Sequence, residues 1–314
     1  MNTLRASLQD YLAMRHGLGF KLRDAGVELL DFVSFMERGH AAHITTRLAL
    51  EWAQKPKSVL PSTWAKRLSW VRSFARYRSA IDSGTQIPPH GLLPFHPKRA
   101  RPYLYSEEEI DSLLRAALKM PCRYERGALR PWVYYCLFGL LSISGLRLSE
   151  ARNLELQDID LDAAVLTIRR SKFDKTRLVP LHASTCKVLE KYIARRRRHW
   201  MGQRVSSNLF LSSRGHRLDY ADIHRTFYAL SRQIGLRGAS DSRGPRLHDM
   251  RHVFATNTLV QWYRSGQEPE TRLPLLSAYL GHAHVADTHW YLEGSPELMR
   301  EAMRRLEKRW EDRP

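Results

Sequence analysis

The chain has 314 residues, with 51 Lys+Arg against 32 Asp+Glu and a formal charge of +19. That imbalance excludes an acidic solvating tail and favours a polyanion as partner. Hydrophobic residues make up 43%, enough for ordinary cores, so wholesale disorder is excluded as well. Both halves are basic: residues 1–100 hold 15 Lys+Arg against 7 Asp+Glu, and residues 101–314 hold 36 against 25. Cys122, Cys136 and Cys186 are too few and too scattered for a disulfide framework or a four-ligand zinc site, which fits a reduced cytoplasm. Met1 to Phe20 carries Asp10 inside its apolar pattern and does not read as a secretory signal.

Apolar spacing predicts four helices in residues 1–85. Leu4, Leu8 and Leu12 mark the first. Val27, Leu30, Val33 and Met36 mark the second, within Lys21 to Met36. Thr45-Thr46 caps a third around Leu48 to Ala53, and Ser62 is placed to cap a fourth through Trp64, Leu68, Val71, Phe74 and Tyr77. The fourth also carries Lys66, Arg67, Arg72 and Arg76, bases interleaved with aromatics as in a helix that faces a nucleic-acid groove. Residues 86–103, rich in Gly, Pro and polar side chains, read as a linker whose Lys98, Arg99 and Arg101 could touch phosphate. Residues 104–314 form the second domain. Ser106 and Glu109 make a capping box for a helix over about 107–119. The apolar run Val133 to Leu146 is too short to span a bilayer and reads as a buried helix. Alternation around 164–168 and 178–181 predicts a hairpin, with Lys172 and Lys175 in its polar turn and Arg177 just after it. Helices follow at about 183–199, 220–234, 248–264, 271–281 and 296–310. The fold class is therefore mainly α with a small β-sheet.

Four local signals in this domain could carry chemistry. In Ser144-Gly145-Leu146-Arg147-Leu148-Ser149-Glu150, an apolar helix runs into a Gly and then an Arg; Ser149 can cap the next helix and Glu150 can orient Arg147. An Arg at the end of a buried helix needs an anionic partner. Lys172, on a turn, can reach a groove or protonate a leaving group. His248 and Arg251 are i,i+3 and share a helix face. Gly281 ends a helix, His282 follows it, and Tyr291 comes nine residues later. A metal reading of His248, His252, His282, His284 and His289 is weak, because no Glu follows His248 as in a zinc-protease helix. A Gly-x-Ser-x-Gly elbow and a Walker-type loop are both missing from the sequence.

Taken in order, Arg…Lys…His-x-x-Arg…Gly-His…Tyr over residues 147–291 resembles the tyrosine recombinase (phage integrase) family. The strings SGLRLSE, HDMRHVFAT and LGHAHVADTHWY are similar to that family's boxes, and SKFDKTRLVPL to its β-hairpin lysine segment. The resemblance covers the whole second domain; residues 1–85 resemble, less specifically, the helical core-binding domain that precedes it. It implies two domains that close on double-stranded DNA. It implies Arg147 and Arg251 as clamps on the scissile phosphate, with Glu150 in support, and Lys172 as general acid to the leaving 5′-oxygen. His248 would assist proton transfer, His282 would hydrogen-bond the phosphate, and Tyr291 would be the nucleophile. Lys66, Arg67, Arg72, Arg76, Lys98, Arg99, Arg101, Lys175 and Arg177 are expected DNA contacts. It further implies no cofactor or metal, a bacterial cytoplasmic setting at the nucleoid, and a homotetramer, or a heteromer with related recombinases, on paired sites. The biological role is expected in a mobile element; chromosome-dimer resolution and a non-cleaving accessory paralogue are the alternatives, as is a relaxing or resolving enzyme of the same chemistry. The chain departs from the family pattern in the bulky Trp290 beside Tyr291, in the longer stretch around Tyr263 to Pro274, and in Tyr279, a competing hydroxyl expected in the core. The amphipathic segment after Tyr291 could pack on its own domain or on a neighbouring subunit.

Overall fold

A computed structural model of the chain describes residues 3–95, 101–122, 128–169, 176–241, 243–291 and 296–311. It divides into two compact units, residues 1–100 and 101–314.

The first unit holds α1 (Leu4–Gly17), α2 (Arg23–Arg38), α3 (Thr46–Gln54) and α4 (Pro61–Arg78). Thr3 caps α1 by accepting from Ala6 N, and Thr45 caps α3 by accepting from Leu48 N. The fourth helix starts one residue before the expected cap. Pro61 supplies a helical φ and lacks an N–H that would go unpaired there, so Ser62 lies inside the first turn. Leu8, Phe32, Met36, Trp52, Val71 and Phe74 are fully buried and make the core. Each such side chain contributes about 1.5–3 kcal/mol by leaving water. The Trp52 indole packs edge-on to Phe32 and donates to Asp31 at 2.8 Å, so its one polar atom is satisfied. The stretch expected as a linker from residue 86 belongs in part to this unit. Gln86 N donates to Ile44 O at 2.7 Å, Arg72 donates to Pro88 O and Pro89 O, and Leu93 packs on the core.

The second unit opens with α5 (Glu107–Leu118), whose capping box pairs Ser106 with Glu109 in both directions. Then come α6 (Arg130–Ser144), α7 (Leu148–Asn153), a sheet of β1 (Ile159–Asp160), β2 (Val165–Ile168) and β3 (Arg177–Pro180), and α8 (Ala183–His199). The strands run antiparallel in the order β1-β2-β3, with Leu166 opposite Val179 and Ile168 opposite Arg177. The expected hairpin is β2–β3; its turn, with Lys172 and Lys175, lies outside the described residues. The chain continues through α9 (Tyr220–Gln233), α10 (Leu247–Arg264), α11 (Pro269–Leu280), α12 (Ala286–His289) and α13 (Pro296–Glu311). Helix α6 is buried almost all round, as its uninterrupted apolar run predicts. It packs against α5, α8 and α10 at the centre of the unit. Helix α13 packs on α10 of the same chain, where Arg264 pairs with Glu297 and Glu301 and Leu298 is buried. Among the described residues, no helix is long and apolar enough to cross a membrane.

Candidate active site

Helices α6 and α11 both end on a glycine in the left-handed conformation, Gly145 at φ 59° and Gly281 at φ 68°. No side chain fits at either place. A Cβ on Gly145 would stand 2.5 Å from the Phe254 ring, and one on Gly281 would stand 2.8 Å from Arg177 Nη1. The last carbonyls of a helix have no partner within it and carry the negative end of its dipole. Three arginines fill that role here. Arg251, from α10, donates to Gly145 O and to Leu280 O, both at 2.7 Å. Arg147 donates to Gly281 O at 2.9 Å, and Arg177 Nε donates to Tyr279 O at 2.7 Å. Arg147 and Arg251, far apart in sequence, thus meet because two helix ends converge.

The charge in this cluster is unbalanced. Glu150 is buried and accepts from Arg147 Nη1 at 2.8 Å, from Arg147 N at 2.9 Å, and from both terminal nitrogens of Arg177 at 3.0 and 2.8 Å. Burial pushes its carboxyl up, but the hydrogen bonds and charge of Arg177, with those of Arg147, outweigh this and hold it below the usual range. Three guanidiniums and one carboxylate leave a formal +2. Arg251 is only 1% exposed, and its partners Gly145 O, Leu280 O and His282 Nε2 are all uncharged. A buried cation without a paired anion is costly unless an anion arrives to bind it.

The aromatic side of the site is built by α10 and α12. His248, exposed at the start of α10, meets His252 edge-on at 5.0 Å. His252 is buried against Trp290 and Tyr291, with ring centroids 4.6 and 5.0 Å away. Burial, reinforced by His248, pushes its imidazole down to about 3. Tyr291 is 5% exposed and lies nearly parallel to the His282 ring at 5.8 Å. Burial, with the charges of Arg251 and Arg147, pushes His282 down to about 4. Both imidazoles are therefore neutral near pH 7. The structure thus brings Arg147, Glu150, His248, Arg251, His282 and Tyr291 into one place. Tyr279 stacks on Phe254 at 5.3 Å, and burial pushes its hydroxyl up to about 12. Among the described residues, no three His, Cys, Asp or Glu side chains are grouped to hold a metal ion.

Three of the expected DNA contacts have partners within the protein. Arg67 is buried, pairs with Glu28 and Asp31, and lies over the Trp52 ring at 3.8 Å. Arg72 is spent on the Pro88 and Pro89 carbonyls, and Arg177 on Glu150. Each guanidinium has a partner inside its own unit. Lys66, Arg76 and Arg101 are exposed, Lys66 lying over Trp70 at 5.0 Å. Lys98, Arg99, Lys172 and Lys175 lie outside the described residues. Ser149 falls inside α7, which starts instead from Arg147, with Glu150 Oε2 accepting from Arg147 N.

Sequence reasoning missed the inward role of Arg177, and of His252 and Thr288. A signal existed for the first: Arg177 and Val179 alternate with the exposed Leu178, so they share the covered face of β3. Thr288, wholly buried against His282, has no periodic signature in a four-residue helix.

The sequence profile described as the phage integrase family matches residues 105–297. The y4rB protein of Sinorhizobium fredii, provisionally named an integrase/recombinase, is 69% identical over 100% of both chains. Tyrosine recombinase XerD of Chlamydia pneumoniae is 28% identical, covering 73% of this chain and 69% of its own length. In fold, the chain is similar to the Tn1549 transposon integrase in complex with a circular intermediate DNA, with a TM-score of 0.65, 17% identity, and 97% and 100% of the two chains covered. It is also similar to a lambda integrase dimer bound to a core site, with a TM-score of 0.59, 18% identity, and 93% and 77% covered. Two glycine-ended helices, an arginine cluster holding excess positive charge and a tyrosine set against it are what the matched segment builds: the chain belongs to the phage integrase family, the tyrosine recombinases.

Proposed function

We propose that this protein is a site-specific recombinase that cuts and rejoins double-stranded DNA through a 3′-phosphotyrosyl intermediate at Tyr291. The observation that carries the reading is Arg251, a buried guanidinium with uncharged partners, in contact with the His282 ring that lies against Tyr291. A phosphodiester carries one negative charge, and more develops on its oxygens during displacement. Guanidiniums present fixed, parallel N–H donors to those oxygens and stay charged at any working pH. Arg147 and Arg251 hold the non-bridging oxygens, and Glu150 orients Arg147. The Tyr291 oxygen attacks phosphorus as its proton leaves with the help of His248, exposed beside the site. The bond from phosphorus to the 5′-oxygen breaks, and Lys172 supplies the proton that the leaving oxygen takes up. The new phosphotyrosine ester keeps the energy of the old bond, so a 5′-hydroxyl from the partner strand reverses the step without ATP.

The likeness to a transposon integrase and to y4rB supports a role in mobile-element integration or excision. A set of four protomers on two paired DNA sites supplies one tyrosine for each strand exchanged. Lys66, Arg76 and Arg101, exposed and basic, serve the DNA backbone.

The test is a nicked suicide substrate from the native locus. The wild-type chain is expected to accumulate a covalent DNA adduct, and Tyr291→Phe to lose it entirely while still binding DNA. An adduct that survives in Tyr291→Phe overturns the assignment of the nucleophile. Relaxation of supercoiled plasmid without any special site overturns the assignment of site-specific exchange.

A further inference from the structure

Arg177 stands on β3, and all three nitrogens of its guanidinium are engaged inside the protein. Nη1 donates to Glu150 Oε1 at 3.0 Å, Nη2 to Glu150 Oε2 at 2.8 Å, and Nε to Tyr279 O at 2.7 Å. One guanidinium facing both oxygens of one carboxylate is a closed, bidentate pair. Arg147 meets the same carboxylate differently. Its side chain reaches Oε1 alone, through Nη1, while its Nη2 donates to the uncharged Gly281 O. The Arg147 side chain is also the more open of the two, 22% exposed against 11%. The single negative charge of Glu150 is thus matched by Arg177, and the surplus positive charge belongs to Arg147.

We propose that Arg177 is a positioning residue of the strand-cutting site: as the counterion of Glu150, it lets that carboxylate orient Arg147 without neutralising it, so that Arg147 and Arg251 both meet the scissile phosphate as net cations. The inference rests on the reading of these two arginines as phosphate clamps. A Glu150 held against Arg147 alone would fix its direction but offset its charge, and at a buried site that offset is only weakly screened. The carboxylate is also saturated. Each oxygen accepts twice, once from Arg147 and once from Arg177, so Arg177 supplies one donor to each. The end of α11 leaves room for Arg177 only because residue 281 is a glycine.

The test uses the full chain in three variants. Arg177→Gln leaves Glu150 to Arg147 alone, and Arg177→Lys keeps the charge. The double variant Arg177→Gln with Glu150→Gln removes both charges, so no half-paired buried carboxylate hinders its folding. Sulfate is the probe, titrated against sodium chloride at matched ionic strength, and the melting temperature at each concentration gives its affinity. Arg177→Gln is expected to bind sulfate about tenfold more weakly than wild type, and the lysine and double variants to stay within about threefold of it. A residue that only holds the fold would lower the melting temperature and leave sulfate affinity alone. In single-turnover cleavage of the suicide substrate, Arg177→Gln is expected to form adduct about 10–100-fold more slowly than wild type, and the double variant to be faster than Arg177→Gln. Wild-type sulfate affinity in a folded Arg177→Gln overturns the proposal. So does a folded double variant that binds sulfate about tenfold more weakly than wild type or cleaves no faster than Arg177→Gln, and so does a wild type that does not respond to sulfate. The sulfate measurement needs no DNA, so it decides the role of Arg177 even if no substrate yields an adduct and the recombinase reading falls.

Discussion

Two arginine-bearing regions of this molecule look alike in sequence and differ in what they hold. On α4, Arg67 and Arg78 are buried against carboxylates: Arg67 against Glu28 and Asp31, Arg78 against Asp82. Between α6 and α11, Arg251 is buried against carbonyls and an imidazole. The first kind of arginine is neutralised and acts as a structural tie. The second keeps its charge in a low-dielectric place, where an arriving anion is bound strongly. For a chain of net charge +19, the partner of each arginine thus decides its task, and the count does not.

The contrast is tested most severely at Arg251. Replacing it by Gln should lower adduct formation by about 10³-fold, as for other donors to a developing oxyanion. A loss below tenfold would place Arg251 with the structural ties. Arg177→Gln comes next, at about 10–100-fold, because Glu150 then loses one of the two arginines that orient it. Lysine at 177 should rescue only part of this, since it cannot reproduce the bidentate geometry. Single-turnover cleavage reads both.

Arg67→Gln should leave cleavage chemistry unchanged and lower stability by about 2 kcal/mol, seen as a shift in denaturant midpoint. It should not alter the salt dependence of DNA binding. Lys66→Ala or Arg76→Ala should do the reverse, each reducing the log–log salt slope by about one unit with little change in stability. If Arg67→Gln flattens the slope as much as Lys66→Ala, the inward reading of Arg67 fails.

The smallest effect concerns acid. His252 and His282 titrate near 6.5 when unfolded but are pushed down to about 3 and about 4 in the folded chain. Between those values the unfolded state binds more protons, so stability is full above about 6.5 and falls as pH drops. The slope is at most about 1.4 kcal/mol per pH unit for each ring. Denaturant midpoints at pH 7 and pH 5 should differ, and His252→Gln should reduce the difference. An unchanged difference would mean that these rings do not set the acid sensitivity of the region.

The helices were legible wherever an apolar stripe recurred over several turns, as in α2, α4 and α6. The candidate site residues that come together in the structure were legible as an ordered series of short strings, since Arg147, His248 and His282 each sit at a helix end or start with a local signature. What could not be read was the partner across space. Arg67 lies on the same stripe as Val71, Phe74 and Arg78, and that position outranks its charge: it points inward with them. Glu28, 39 residues away, then makes the inward position tolerable. The start of α4 was misread because Pro61 begins a helix as well as a polar cap does. Stretch 86–93 reads as linker by composition, yet the Arg72 side chain gathers its carbonyls onto the first unit.

The uncompensated guanidinium of Arg251 also bears on folding. A chain that buries a cation without its anion is less stable alone than its packing would allow, so occupancy of the site and cohesion of the second unit are thermodynamically linked. Any small oxyanion that enters the clamp should raise the melting temperature in proportion to the logarithm of its concentration over its dissociation constant. Arg251→Gln should abolish that response. The protein would then be at its most robust when seated on its substrate, and its free form the more readily unfolded and cleared.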